Sequence, residues 1–297
     1  MGWIITLIAG AGAGASAELP DIAAAIAHAL EVKGEPDWLA LGTACDLPIE
    51  GVAPAVAERA ARDTIGEAPI DIVVQPQEGR RKQLLVADLE STIIENEMLD
   101  ELADFVGLRA QIAEITRRAM NGEVDFAAAL AERVALLKGL PASVLNETAE
   151  RIRIMPGARS LLATSRAAGV RTALVTGGFT VFAEPIAASL GFDRVVANRL
   201  DIADGRIAGT VRTPIVDRDA KRYALVALAA EMRLPLAATL AVGDGANDLP
   251  MLLSAGLGVA FHAKPAVAAA ARCRVAHADL TALLYIQGYR EAEIAPG

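Results

Sequence analysis

Thiols and imidazoles are scarce in this chain. Cys45 and Cys273 are its only cysteines and form no CxxC, which excludes a disulfide framework and a thiolate zinc site. His28, His262 and His277 are too scattered to suggest a metal cluster. Positive charge is also in deficit: the formal net charge is −9 and the pI near 5.0, which argues against a nucleic-acid partner, since that would want a basic face. A phosphorylated substrate is still allowed, because a metal and one or two local cations can reverse the field of a pocket. No stretch has the length and apolarity of a transmembrane helix. The small residues Ala15-Ser16-Ala17 resemble a cleavage site, but no Lys or Arg precedes the apolar run before them, as a secretory leader requires. Gly10-Ala11-Gly12-Ala13-Gly14 after a strand-like Trp3–Ile8 lacks the final spacing of a dinucleotide loop. The expectation is a soluble, cytoplasmic protein with neither nucleic acid nor membrane as partner.

What the chain does have is apolar content: 54% of 297 residues, enough for a sizeable core and two domains. Its organising stretch is Leu84-Leu85-Val86-Ala87-Asp88-Leu89-Glu90-Ser91-Thr92. A short apolar run that stops at charge fits a fully buried parallel strand. Chemistry in an open parallel sheet sits at the carboxyl ends of the strands, where Asp88 falls. A carboxylate there can attack phosphorus or hold a metal. Acidic residues after a strand also serve as plain helix caps, so this stretch takes its weight from partners far down the chain.

Residues 1–76 read as a small α/β unit, with strands at Trp3–Ile8, Trp38–Gly42 and Ile70–Val74 and helices at Ile22–Leu30 and Val52–Asp63. This unit is either a regulatory or dimerising module, which would make the protein a homodimer, or a structural extension. The polar, basic run from Gln75 to Lys82 makes a natural linker, with residues 77–82 as its body. Residues 83–297 form the second domain. Helical patterns at Glu95–Val106, Ala110–Met120, Phe126–Lys138 and Ala142–Arg151 predict a cap over about 95–153, of the kind that excludes water and supplies substrate contacts. From Pro156 a βα rhythm follows: helix Gly157–Ala168, strand Val170–Val175, a helix to Leu190, a strand at Val195-Val196, helix Lys221–Arg233, and strands Thr239–Val242 and Leu257–Phe261. Ile202–Val211 around Asp204-Gly205 reads as a hairpin. This alternation predicts a Rossmann-like parallel sheet covered on both faces.

Three strand ends then carry polar groups together: Asp88 and Glu90, Thr176-Gly177-Gly178, and Asp244 through Asp248, with Lys221 on a helix before the last. In this order the motifs Asp-Leu-Glu-Ser-Thr, Val-Thr-Gly-Gly-Phe, Lys221 and Val-Gly-Asp-Gly-Ala-Asn-Asp-Leu-Pro-Met resemble the haloacid-dehalogenase-like phosphohydrolases. Among these they resemble the phosphoserine phosphatases, over about Leu84 to Leu284. The resemblance implies a Mg²⁺-dependent hydrolysis of O-phospho-L-serine to L-serine and phosphate, the last step of serine biosynthesis. It implies Asp88 as nucleophile, with Mg²⁺ held by Asp88, the main-chain carbonyl of Glu90, and Asp244, supported by Asp248. Lys221, Thr176, Gly177, Gly178 and Asn247 would surround the phosphoryl group. Glu97 would meet the substrate amine and Arg133 its carboxylate, and Met120 and Phe126 would close over the site. The N-terminal unit is similar in outline to the ACT-like extensions of longer members.

One position departs from the family pattern. Glu90 stands where the family usually has Asp as the acid/base, and its added methylene moves the carboxyl by roughly 1–1.5 Å, a misplacement that can cost on the order of 10²-fold in rate. Two rival readings follow: a phosphotransferase or phosphatase for another small phosphomonoester, and a non-catalytic regulator that binds serine or phosphoserine.

Overall fold

The computed structural model describes residues 2–10, 12–32, 34–120 and 123–297, except the side chains of Ala13 and Met120. Met120, expected over the site, is thus outside the described residues as far as its side chain goes. The chain divides into two compact units, one of Met1–Lys82, Pro156–Ala168 and Cys273–Gly297, the other of Gln83–Met155 and Gly169–Arg272.

The first unit runs β1 (Trp3–Ala9), α1 (Ala13–Ala29), β2 (Asp37–Ala40), β3 (Ala44–Ile49), α2 (Pro54–Ile65) and β4 (Ile70–Pro76). Its antiparallel sheet has the order β2-β3-β1-β4, with Leu7 of β1 opposite both Cys45 and Ile72. Leu19, Ala23 and Ile26 recur at helical spacing on α1 and pack with Ala57 and Ala61 of α2 on Ile5, Leu7, Leu47 and Ile72. Strand β3 was not anticipated, because Asp46 and Pro48 interrupt its apolar pattern. Buried Asp46 is satisfied by the Thr6 hydroxyl at 2.7 Å and by Arg80 at 2.6 Å. Helix α1 starts well before the expected Ile22 and runs through Pro20, which is exposed.

Later segments complete this unit: α7 (Ala158–Ala167), β12 (Cys273–Val275) and α12 (Ala282–Ile286). Asp71 of β4 accepts hydrogen bonds from the backbone N–H groups of Ala276, His277 and Ala278. The run read as a linker is anchored here too, since Arg80 donates to the carbonyls of Tyr285 and Ile286 as well as to Asp46. A guanidinium whose donors are taken by a carboxylate and two carbonyls does not behave as a loose tether.

The second unit is built on parallel strands in the order β11 (Leu257–Phe261), β10 (Thr239–Gly243), β5 (Leu84–Ala87), β6 (Arg171–Phe179) and β7 (Arg194–Asn198). Every residue of β5 is buried, as a central parallel strand requires. The helices α8 (Thr180–Leu190), α9 (Arg218–Glu231), α10 (Leu249–Ser254) and α11 (Pro265–Ala270) alternate with these strands in the chain. Met251 and Leu252 of α10 and Leu225 and Ala229 of α9 pack on Leu84, Val86, Ala173 and Ala241.

Between β5 and β6 the unit inserts the cap helices α3 (Met98–Ala103), α4 (Arg109–Met120), α5 (Phe126–Ala135) and α6 (Ser143–Ala149). The parallel sheet with a helical insertion is therefore as expected. The hairpin is also present as β8 (Leu200–Ala203) and β9 (Arg206–Val211), turning on Asp204 and Gly205 at φ 50° and 70°. Gly139 N–H donates to Ile207 O and Ala142 N–H to Gly205 O, which ties the hairpin to the cap. Among the described residues, no helix is long and apolar enough to cross a membrane.

Candidate active site

The register of the parallel sheet assembles the site. Ala87 lies opposite Val242 on one side and Leu174 on the other, so Asp88 and Asp244, just past their strands, and Thr176, near the end of β6, share one edge. Asp88 N–H continues the ladder to Val242 O at 3.0 Å. Asp217 caps α9 by accepting from Asp219 N–H and Ala220 N–H. That fixes the first turn, in which Lys221 joins the buried stripe of Ala224 and Leu225.

The Lys221 ammonium is fully buried and lies 2.7 Å from both Asp88 Oδ1 and Asp248 Oδ1. Burial works against its charge, but the Asp248 and Asp88 carboxylates hold its pKa above the ordinary lysine value. Asp88 Oδ1 also accepts from Leu89 N–H at 2.8 Å. One carboxylate oxygen is thus committed, and Oδ2 has no hydrogen-bond partner among the described residues.

Asp88, Asp244 and Asp248 each place an oxygen within 4.8 Å of the others, and all three are buried. Buried oxygen-only donors of this kind fit a hard divalent cation. Glycine at 243 makes room for the set, since a Cβ there would overlap the Asp248 carboxylate, which accepts from Gly245 N–H at 3.0 Å. Burial pushes the Asp244 carboxyl up to about 6, against the pull of Lys264. Glu90's carboxylate stands outside this cluster.

Glu90 Oε1 accepts from Met98 N–H at 3.0 Å, so the extra methylene finds a donor at the start of α3. Burial pushes its carboxyl up to about 7, with the Asp88 charge adding to the effect and Met98 N–H opposing it. Glu97, the residue before α3, accepts from the Ser91 hydroxyl at 2.8 Å. Burial and then the Glu90 charge push its carboxyl up to about 8. Asp125 caps α5 through Ala128 N–H, and the same helix buries Leu130 and Arg133 on one face. Arg133 donates to Ala129 O at 3.1 Å and to the Thr116 hydroxyl at 3.0 Å. Opposed charges thus lie in one cavity lined by Asp88, Glu90, Glu97, Phe126, Arg133 and Asp244, with Thr176, Gly177, Gly178 and Asn247 completing the wall. The cavity encloses about 20 Å³, room for roughly one water. Asn247 Oδ1 is buried there without a partner among the described residues, an acceptor that a ligand or water would satisfy.

The family model of the haloacid dehalogenase-like hydrolases matches residues 85–253. The chain belongs to that family. It is 44% identical over 230 residues to a phosphoserine phosphatase of Mycobacterium tuberculosis, covering 77% of this chain but only 56% of that relative's length. It is also 44% identical over 203 residues to the phosphoserine phosphatase of Lactococcus lactis, covering 68% of this chain and 94% of that one. The crystal structure of a haloacid dehalogenase family hydrolase from Salmonella enterica serovar Typhi is similar over 96% of this chain and 98% of its own, with a TM-score of 0.84 and 29% identity.

Every described candidate converges on the one cavity or on the carboxylate cluster beside it. Sequence reading missed Ser91, Thr116, Asn198 and Lys264. Ser91 and Thr116 orient Glu97 and Arg133. Asn198 donates to Gly177 O at 2.8 Å and accepts from Val216 N–H, which stiffens the end of β6. The signal for Asn198 was its position at a strand end, but an isolated amide carries no motif.

Gly177 matters through space rather than conformation. A Cβ there would come within 2.6 Å of Phe126 Cζ. Gly177→Ala should push the Phe126 ring off the strand end and lower kcat/KM by on the order of 10- to 100-fold with little loss of stability. Steady-state kinetics beside thermal denaturation checks this, and unchanged kinetics would show that the ring is free to move.

Proposed function

We infer that this chain is a phosphoserine phosphatase, hydrolysing O-phospho-L-serine to L-serine and phosphate as the final step of serine biosynthesis in the cytoplasm. The observation that carries this reading is a single cavity lined by Asp88, whose Oδ2 is uncommitted, by Glu97 and by Arg133. An amino acid bearing a phosphate offers an ammonium to the second, a carboxylate to the third and a phosphorus atom to the first. The names of the relatives support the same substrate.

In this reading Asp88 Oδ2 attacks phosphorus, forming an aspartyl-phosphate as the bond from phosphorus to the serine oxygen breaks. Glu90 gives its proton to the departing oxygen, then takes one from the water that hydrolyses the acyl phosphate. Asp88, Asp244, Asp248 and the main-chain carbonyl of Glu90 would hold Mg²⁺, which supplies positive charge against the phosphate. Lys221 holds Asp88 by its Oδ1 and keeps it aimed. Thr176, Gly177, Gly178 and Asn247 surround the phosphoryl oxygens. Arg133, oriented by Thr116, binds the substrate carboxylate as a fork, and Glu97 binds its amine. Phe126 shuts out water.

The test is phosphate release from O-phospho-L-serine with Mg²⁺ and with excess chelator, with alcohols added in parallel. Mg²⁺-dependent release with free L-serine supports the reading. Phosphoryl transfer to the alcohol in place of release would make the protein a phosphotransferase. Binding without turnover would make it a serine or phosphoserine regulator.

A further inference from the structure

Beyond residue 253, where the family match ends, one more charged side chain reaches the carboxylate cluster. Lys264 precedes α11. Its backbone N–H donates to Asp244 O at 3.1 Å, and its ammonium lies 3.1 Å from Asp244 Oδ2. The three cations facing the five carboxylates Asp88, Glu90, Glu97, Asp244 and Asp248 are not equivalent. Lys221 is fully buried and shared by two carboxylates. Arg133 is fixed by Ala129 O and Thr116. Lys264 has a single carboxylate partner, and its side chain is 42% exposed while that of Asp244 is 5% exposed. A lysine ammonium is a compact charge on a four-carbon stem that reorients readily.

We propose that Lys264 is a positioning residue that serves as a displaceable counter-cation of Asp244, competing with the divalent cation for Oδ2 and thereby setting how tightly that cation binds. This rests on the reading of the carboxylate cluster as a cation site. A cation arriving at Asp244 meets the Lys264 charge, so the ammonium must swing off Oδ2 toward solvent before the carboxylate can ligate. While the site waits for its cation, the same contact keeps Asp244 paired and aimed.

The test is calorimetric titration of Mg²⁺ into the intact, chelator-treated protein and into its Lys264→Gln and Lys264→Arg variants, without substrate. Removing the charge should tighten Mg²⁺ binding on the order of three- to tenfold, while Lys264→Arg should stay within about twofold of the parent. An unchanged or weaker affinity in Lys264→Gln, with normal binding by the parent, would overturn the proposal and leave the cation site standing. No Mg²⁺ binding by the parent would overturn both. Lys264→Arg binding as tightly as Lys264→Gln would also overturn it, because a retained charge would then not compete.

Discussion

Asp88→Asn is expected to lower phosphate release from O-phospho-L-serine by on the order of 10⁴-fold or more, with the fold retained. The amide matches the carboxylate in shape and keeps an oxygen for Leu89 N–H and Lys221, the two donors that now hold Oδ1. What disappears is the anionic lone pair on Oδ2, and no nearby group can substitute for it. Glu90 is occupied by Met98 N–H, and Asp248 is tied to Lys221 and Gly245 N–H. Single-turnover assays would show the loss in the chemical step, while ligand binding through Glu97 and Arg133 persists. Residual turnover above about one-hundredth of the parent would move the nucleophile elsewhere.

Lys221→Met is expected to destabilise the protein by about 3–5 kcal/mol, because it strands two buried carboxylates without their cation. The lysine is fully buried, Asp248 equally so, and both ion pairs are 2.7 Å long. Such a loss is a large part of the roughly 5–15 kcal/mol by which domains are stable. Urea denaturation in chelator measures it. Adding Asp248→Asn should recover part of the loss by removing one of the uncompensated charges, and a cost below about 1 kcal/mol for the single variant would show that water already reaches these groups. Activity should fall as well, since Asp88 loses the contact that aims it.

The site was more legible in the sequence than the fold around it. Asp88 and Asp244 follow the ends of their strands and Thr176 lies near the end of β6, which runs on to Phe179 rather than stopping at Val175, and a parallel register carries such residues to one edge. Gly177 stood out in the Thr-Gly-Gly run, but the crowding by Phe126, and that by Asp248 at Gly243, is visible only in the structure. Lys264 and Thr116 were not, because each acts through a partner distant in sequence and neither lies in a patterned motif. Strand β3 was hidden because its buried polar residue Asp46 is paid for by Arg80 from outside the sheet. The Glu90 departure could be seen in the sequence, but not the Met98 N–H that receives its longer arm.

The make-up of the first unit bears on the order of events during synthesis. Asp71 is satisfied by residues 276–278, and Gln75 and Arg80 by carbonyls of 285 and 286. These partners follow Lys82 by about 200 residues. At translation rates of about 5–20 residues per second, the nascent strands β1–β4 wait roughly 10–40 s for them. Over that interval the growing chain carries a half-finished sheet with the Asp71 carboxylate unpaired, the state in which holding by a chaperone has most to offer. Contacts of such long sequence separation also slow folding from the unfolded chain. Strands β1–β4 are thus made well before the segments that complete their unit.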